Sequence, residues 1–493
     1  MNSETITKRD NKIKDSSITD MTIGNPFKIL WTFSLPMLLS SLFQQLYNIV
    51  DSIVAGKFIG VNALAAVGAS YPITALFIAV AVGSSMGCSV VVAQIFGSKK
   101  YTTMKSAIST AIISLTSLSI ILTILGSIFC KPLMRLLHTP ENIFSDSALY
   151  LQIYISGIIF LFLYNTATAI FNGLGDSKTP LCLLIFSSIF NIILDLVFVI
   201  TFKMGVSGVA WATFIAQGLS SILAIVCLIM RLRKIEVTEK YPYFSSYILK
   251  RISRIAIPSI MQQSFISVGQ ICVQGLVNSY GAIVVAGYSA AFRVHTIALT
   301  SMSTMSSALS SFTAQNIGAK KISRVKEGYK AAIAITLSIC GGILILFLIF
   351  APKLIGLFVD SSESINVINV GTEFLRTLAP FYLVVGLKMV CDGVLRGAGA
   401  MKDFMFATFS DLILRVAISF ILASIIGYSG IWWSFPLGWI IGNRVFPLTG
   451  QWPCPGSGTA PSDGCQTRDW LFFPDHRRQS VLPPSYGRKN QTD

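Results

Sequence analysis

Negative charge is what this chain has least of. Its 493 residues hold 22 Asp and Glu against 38 Lys and Arg, and charged residues make up only 12%. Soluble globular domains carry about 25%, so the composition argues against a water-exposed fold and for the bilayer. Three histidines and nine cysteines with no CxxC pair, none at metal-ligand spacing, leave no zinc site and no disulfide framework. No HExxH motif and no Gly-rich phosphate loop ending in GK[ST] occurs, which argues against a zinc protease and an ATP-driven pump. The N-terminus, "MNSETITKRDNKIKDSS", lacks the basic-apolar-small order of a cleaved signal peptide, so the first apolar stretch is expected to stay in the mature protein.

What is present is oil: 53% hydrophobic residues and a mean hydropathy of +0.68. Crossing the hydrocarbon layer takes about 20 apolar residues. Runs of that kind lie at 27–55, 63–96, 106–130, 147–171, 180–203, 205–231, 251–278, 283–317, 329–350, 370–395, 404–425 and, shorter than the rest, 427–442. The net charge of +16 is spread in short clusters between these runs, a sign of membrane orientation and not of a nucleic-acid surface. Connections on the N-terminal side carry 23 Lys and Arg against 5 on the other, so the N-terminus is expected in the cytoplasm of a multi-pass plasma-membrane protein.

The two halves repeat. "AQIFGSKK" (93–100) matches "AQNIGAKK" (314–321), "FNGLGDSK" (171–178) matches "LRGAGAMK" (395–402), and "GVSGVAW" (205–211) matches "GYSGIWW" (427–433), all at offsets of 221 to 224; Pro36 pairs with Pro258. Six helices per copy, an even number, insert both copies the same way up. The expected fold is therefore all-α and polytopic: twelve transmembrane helices in two six-helix bundles related by a pseudo-two-fold axis along the membrane normal. The division is a cytoplasmic segment 1–26, an N-lobe 27–231, a cytoplasmic linker 232–250, a C-lobe 251–442 and a polar tail 443–493.

Acids inside such spans are expensive and usually face a cavity and a partner. Gln44, Asn48 and Asp51 form one polar stripe on the first helix. Asn191 and Asp195 are i, i+4 on the fifth, and Thr213 adds a hydroxyl on the sixth. By helix rise, Asp51, Asp195 and Thr213 all lie roughly 6–12 Å below the outer surface. An oxygen-rich nest at one depth suits Na⁺ or a shared proton. The alternative is that each acid caps a neighbouring backbone or pairs with a lysine. The second copy places Arg415 and Ser419 where the first has Asn191 and Asp195, so the cation chemistry is expected in the first lobe. Lys388 with Asp392 and Asp411 with Arg415 read as i, i+4 pairs, structural or gating. His295 reads as a packing histidine or a proton relay, and Met302 and Met305 as ordinary packing.

With "QQLYNIVDSIVAGKFIGVNALAAVGASYP" joined to "AQIFGSKK", "FNGLGDSKTP" and a second copy of each element, residues 25–442 resemble the MATE (multidrug and toxic compound extrusion) transporters. The resemblance implies export of organic cations or other amphipathic compounds in exchange for Na⁺ or H⁺. It implies no other cofactor, no nucleic acid, no enzymatic activity and a monomer in the bilayer. The family's first-lobe cation site falls on Asp51, Asn191, Asp195 and Thr213. Gln44, Asn48, Pro36 and His295 are the candidate supporting or gating residues. Glutamines on the seventh helix favour the DinF-like and related bacterial branches. After "FPLGWIIG" the chain departs from the pattern: 427–442 would cover about 24 Å as a helix, and 443–493 reads as a disordered or non-native tail. Two rivals remain. One is a lipid-linked oligosaccharide flippase of the same superfamily. The other is an aspartyl intramembrane protease, suggested by "GLGD" at 173–176.

Overall fold

The computed structural model describes residues 18–235, 237, 240–358 and 365–444. The segment 445–493, and with it nearly all of the expected tail, lies outside them. The described chain is helical throughout: α1 Pro26–Val54, α2 Val61–Gly97, α3 Tyr101–Leu136, α4 Glu141–Ser156, α5 Ile158–Gly173, α6 Lys178–Leu196, α7 Val206–Arg233, α8 Ser246–Asn278, α9 Ala282–Gly318, α10 Ile322–Gly356, α11 Ile365–Leu378, α12 Tyr382–Ala398, α13 Met401–Ile426 and α14 Tyr428–Arg444. π-helical turns extend α1 over Ala55–Ile59 and α6 over Val197–Thr201. The pair α4–α5, bent by 46°, makes one crossing, as do α11 and α12 joined by the 3-10 turn Ala379–Phe381. Twelve crossings result, as the sequence predicts.

Among the described residues nine segments are long and apolar enough to cross alone, ten with the bent pair. The two remaining crossings are α8, 33 residues long but diluted by Gln262, Gln263, Gln270 and Gln274, and α14, of which 17 residues are described. The outward faces are apolar. Ile121, Ile124 and Ile128 on α3 and Ile345 and Ile349 on α10 are more than half exposed, a stripe that only lipid would cover without cost.

The repeat is written in the backbone as well as in the letters. Left-handed residues recur at matched positions, Lys99 with Lys320, Gly60 with Gly281, Gly175 with Gly399 and Gly205 with Gly427. Two apolar cores follow. One is confined to α8–α14, with Tyr288, Phe374, Tyr382, Trp432 and Trp439 at its centre. The other fills α2–α7 and continues into Ile248, Ile252 and Ala256 of α8, Ala314 of α9 and Phe404 of α13. All of these belong to the end of the molecule that carries the N-terminus, so the two halves are packed together at that end. There α2 meets α8 backbone to backbone: a Cβ on Gly83 would lie 2.6 Å from the Ile260 Cα, and one on Gly87 2.7 Å from the Ile252 carbonyl oxygen.

The "GLGD" acid is a helix cap. Asp176 is buried, accepts from the Thr179 backbone N–H (3.1 Å) and hydroxyl (2.7 Å), and pairs with Arg231 Nη2 of α7 at 2.8 Å. Its oxygens are committed to starting α6 and tying it to α7. Asp176→Ala removes the guanidinium's carboxylate partner and the helix cap, and costs about 3 kcal/mol. The purified variant is expected to melt several degrees below the parent in detergent, and an unchanged melting temperature would show that the pair does not hold this helix end.

Candidate cation site

Four of the residues selected from the sequence converge. Asp195 is fully buried, Asn191 is 2% exposed, Thr213 is 9% exposed and Asp51 is half-buried. Asn191 is the bridge. With its amide nitrogen turned to the acids, the orientation that satisfies both ends, it donates to Asp195 Oδ2 at 3.0 Å and to Asp51 Oδ1 at 3.1 Å. Its carbonyl then accepts from the Thr213 backbone N–H at 3.2 Å. The two carboxyl groups stand within hydrogen-bonding reach of each other. The Thr213 hydroxyl donates to the Val209 carbonyl at 3.0 Å, which leaves its lone pairs facing the cluster.

Each acid sits just ahead of a π-helical turn, Asp51 before Ala55–Ile59 and Asp195 before Val197–Thr201. Such turns widen a helix at a cost in hydrogen bonding and recur at functional sites. Beyond the acids, Val54, Val199 and Val209 are buried together, with Tyr150 packed against them. On the other side a cavity of about 240 Å³ reaches Asn191 and Thr213, lined also by Gln44, Tyr47, Asn165 and Gln217. The acids therefore lie between an apolar plug and a polar cavity.

Among the described residues neither acid takes part in an ion pair, and Asp195 Oδ1 is buried with no hydrogen-bond donor facing it. Two facing carboxylates in a low-dielectric setting repel strongly unless a cation lies between them. Two carboxylates, one of them with its Oδ1 unpartnered, and the Tyr47 and Thr213 hydroxyls make a donor set of hard oxygens, which fits Na⁺ or a shared proton. No group of three or more His, Cys, Asp or Glu side chains occurs among the described residues, so the set does not suit a transition metal.

The supporting residues divide. Gln44 faces the cavity, the Asn48 side chain lies outside those described, and α1 runs unbroken through Pro36. His295 is remote from the acids. It is 1% exposed on α9, its Nδ1 lies 2.5 Å from the Tyr382 hydroxyl, and Phe292, Phe374, Phe435 and Trp439 ring it. Its ring of aromatics is that of a packed side chain, and it stands in the wall of a second cavity of about 470 Å³ bordered by both halves. The same wall holds the C-lobe charges. They form one chain and not two separate pairs: Lys388 reaches Asp392 (3.2 Å) and Asp411 (3.6 Å), and Asp411 binds Arg415 (2.7 Å). Every acid there meets a base, in contrast to Asp51 and Asp195.

Sequence reading missed Tyr47, whose hydroxyl hydrogen-bonds with Asp51 and Thr213, and Tyr150, which closes on the same acids. Tyr47 was within reach of inference, since it lies four residues before Asp51 on the Gln44 stripe. Tyr150 was not, because the bend between α4 and α5 sets its approach.

The sequence model of the MatE family matches residues 36–197 and again 258–421, once per repeat. The chain belongs to the MatE family. Among its relatives, the probable multidrug resistance protein YpnP of Bacillus subtilis strain 168 is 30% identical over 84% of this chain and 92% of its own length. The multidrug export protein MepA of Staphylococcus saprophyticus is 20% identical over 86% of this chain and 93% of its own. The fold is that of a solved MATE in complex with MaL6, with a TM-score of 0.82 and 24% identity over 87% of this chain and 96% of that one. It is equally that of an outward-facing multidrug resistance MATE family transporter of the MOP superfamily, with a TM-score of 0.80, 24% identity and the same coverage.

The bridge makes a stability prediction for this MatE protein. Asp195→Asn replaces a like-charge contact by an amide–carboxylate one, and in sodium-free detergent it should melt no lower than the parent. Asp195→Ala leaves one Asn191 N–H without its acceptor and should melt lower, since an unpaired buried polar group costs about 1–3 kcal/mol. Equal losses in both variants would mean that the second carboxylate itself holds the fold.

Proposed function

We propose that the protein is a secondary active multidrug exporter, moving organic cations and amphipathic compounds outward in exchange for Na⁺ or H⁺ by alternating access. The reading rests above all on the facing carboxylates of Asp51 and Asp195, bridged by Asn191 and met by no base among the described residues. Binding of one cation removes their repulsion, and its release restores it. Thr213 completes the oxygen set, and Gln44, Asn48, Pro36 and His295 are assigned supporting places along the polar stripe, the helix and the second cavity. Relatives named as multidrug resistance and export proteins support the substrate class. The cavity of about 470 Å³, with Phe292, Phe435 and Trp439 in its wall, suits an amphipathic guest. The N-terminus is assigned to the cytoplasm by the bias of basic residues, which makes the packed end the inner one. The protein is assigned to the plasma membrane as a monomer with an N-lobe, a linker and a C-lobe.

A lipid-linked oligosaccharide flippase is the weaker reading. Recognition of a diphosphate would call for free cationic groups, and Lys388 and Arg415 are neutralised by Asp392 and Asp411. Ethidium efflux from proteoliposomes under an imposed Na⁺ or H⁺ gradient tests the proposal. The parent is expected to show gradient-driven efflux that falls at least tenfold in both Asp51→Asn and Asp195→Asn, and the effective gradient names the ion. Efflux that survives both substitutions at matched protein amounts would overturn the assignment of the coupling site.

A further inference from the structure

The motifs "AQIFGSKK" and "AQNIGAKK" take no part in the cation site, yet they close the packed end of the molecule. Gln94, near the end of α2, donates from Nε2 to the Gly397 carbonyl of α12 at 3.1 Å. Gln315, its repeat partner on α9, donates from Nε2 to the Gly173 carbonyl of α5 at 3.0 Å. Gly173 and Gly397 are themselves matched, 224 residues apart. Each half thus grips the other half's second motif, and the two bonds exchange under the pseudo-two-fold axis. Between them α2 and α9 touch without side chains. A Cβ on Gly97 would lie 1.9 Å from the Gln315 carbonyl oxygen, and one on Gly318 would lie 1.9 Å from that of Gln94.

The remaining amide oxygens are held differently on the two sides. Gln94 Oε1 accepts from Arg251 Nη2 of α8 at 2.8 Å. Gln315 Oε1 accepts from the Met21 backbone N–H at 3.0 Å. Met21 belongs to the short strap that leads into α1. It is fully buried, and its carbonyl accepts from Asn316 Nδ2 and Arg324 Nη2, both at 3.2 Å. Lys321 Nζ donates to the Thr22 carbonyl at 2.8 Å, and the Thr19 N–H donates to the Gly175 carbonyl at 3.3 Å. The strap is bonded to the first half at Gly175 and to the second at Gln315, Asn316, Lys321 and Arg324. At the opposite ends of α2 and α8, a Cβ on Gly68 or Gly275 would meet nothing within 4 Å.

We propose that Gln94, Gln315 and the Thr19–Thr22 strap form the inner gate: a hydrogen-bonded clasp that is closed in this state and must release before the inner end can open. Every bond in it except Thr19–Gly175, which ties the strap to the first half, joins groups from the two halves, so separation of the halves at this end breaks it. Each bond is a neutral or charge-assisted hydrogen bond whose partners water can replace, so the clasp is reversible. Gln94 and Gln315 are positioning residues for the transport cycle and touch neither cation nor substrate. The inference rests on the alternating-access reading above, but its test needs no substrate and no gradient.

Amide hydrogen exchange of the whole purified protein, parent against Gln94→Leu and Gln315→Leu, reads the gate directly. The expected result has two opposite parts. Peptides holding Thr19–Thr22 and the inner ends of α5 and α12 exchange at least tenfold faster in the variants. Peptides at the outer ends of α2 and α8 exchange more slowly, because the outer end closes as the inner end opens. Lys321→Ala, which loosens only the strap, should give the same signs with smaller size and covers the case in which a glutamine variant fails to fold. Unchanged exchange at the inner end would overturn the proposal. So would acceleration without outer protection, which is local fraying only. Loss of efflux in Asp51→Asn bears on the coupling site alone, so the two readings fail separately.

Discussion

Two carboxyl groups facing each other in a medium that solvates neither are the constraint around which the first half is arranged. Asp51 comes from α1, Asp195 from α6, and the Asn191 amide that holds them apart is anchored in turn on the α7 backbone. Three helices are thereby fixed at one depth. The π-helical turns after each acid and the Val54–Val199–Val209 plug follow from the same need, which is to present two oxygens to each other while keeping bulk water on one side only. A cation entering from the cavity side changes the local charge by one unit where dielectric screening is weakest. On the proposed coupling-site reading, this is the place where a small ion does work on helix positions.

The second half shows what the same backbone becomes without that constraint. The left-handed positions are kept and the matched motifs occupy the same places, but Arg415 and Ser419 replace Asn191 and Asp195. Its charges neutralise one another along Lys388, Asp392, Asp411 and Arg415, with Arg415 set over Phe435 and Trp439 at 5.3 and 5.9 Å. An internally neutral chain of this kind holds α12 and α13 together without responding strongly to an added ion. On the proposed coupling-site reading, divergence of the repeats has separated two tasks, leaving the ion to the first half and the larger, more aromatic cavity wall mainly to the second.

Much of this was legible in the letters, for physical reasons that differ by feature. Ten of the crossings follow from hydrophobic length, because the bilayer sets one scale for all of them, while α8, diluted by its glutamines, is placed by the repeat. The convergence of Asp51, Asn191, Asp195 and Thr213 followed from depth, since equal distance from one surface is a strong restriction in a bundle. What depth cannot supply is azimuth. The link between Lys388 and Asp411 runs between helices, and i, i+4 counting sees only pairs within one helix. Tyr150 reaches the acids because the α4–α5 crossing bends by 46°, and no periodicity encodes that angle. The grip of Gln94 and Gln315 on opposite halves was invisible for a related reason: a repeat announces which residues correspond, not which of them touch.

The inner clasp and the acid pair share an element, and this makes a coupling between them mechanically intelligible. Helix α1 begins just after the strap that Gln315 holds and carries Asp51 in its last turn, about 38 Å away along a continuous helix. Within it Pro36 cannot donate to the Thr32 carbonyl, so the ladder is weakest roughly two turns beyond the inner end. Pro258 occupies the matched place in α8, between the Gly83 and Gly87 contacts, and leaves the Arg254 carbonyl in the same condition. A helix stiff on both sides of one weak turn transmits displacement by bending there and not by stretching. A change of charge at Asp51 that shifts the outer part of α1 would therefore be felt at Met21 as a rotation. Hydrogen bonds at the end of a lever are the contacts least able to tolerate rotation, because their strength falls steeply with angle. The clasp is built from such bonds, and the proposed gate and the proposed ion site stand at opposite ends of the same lever.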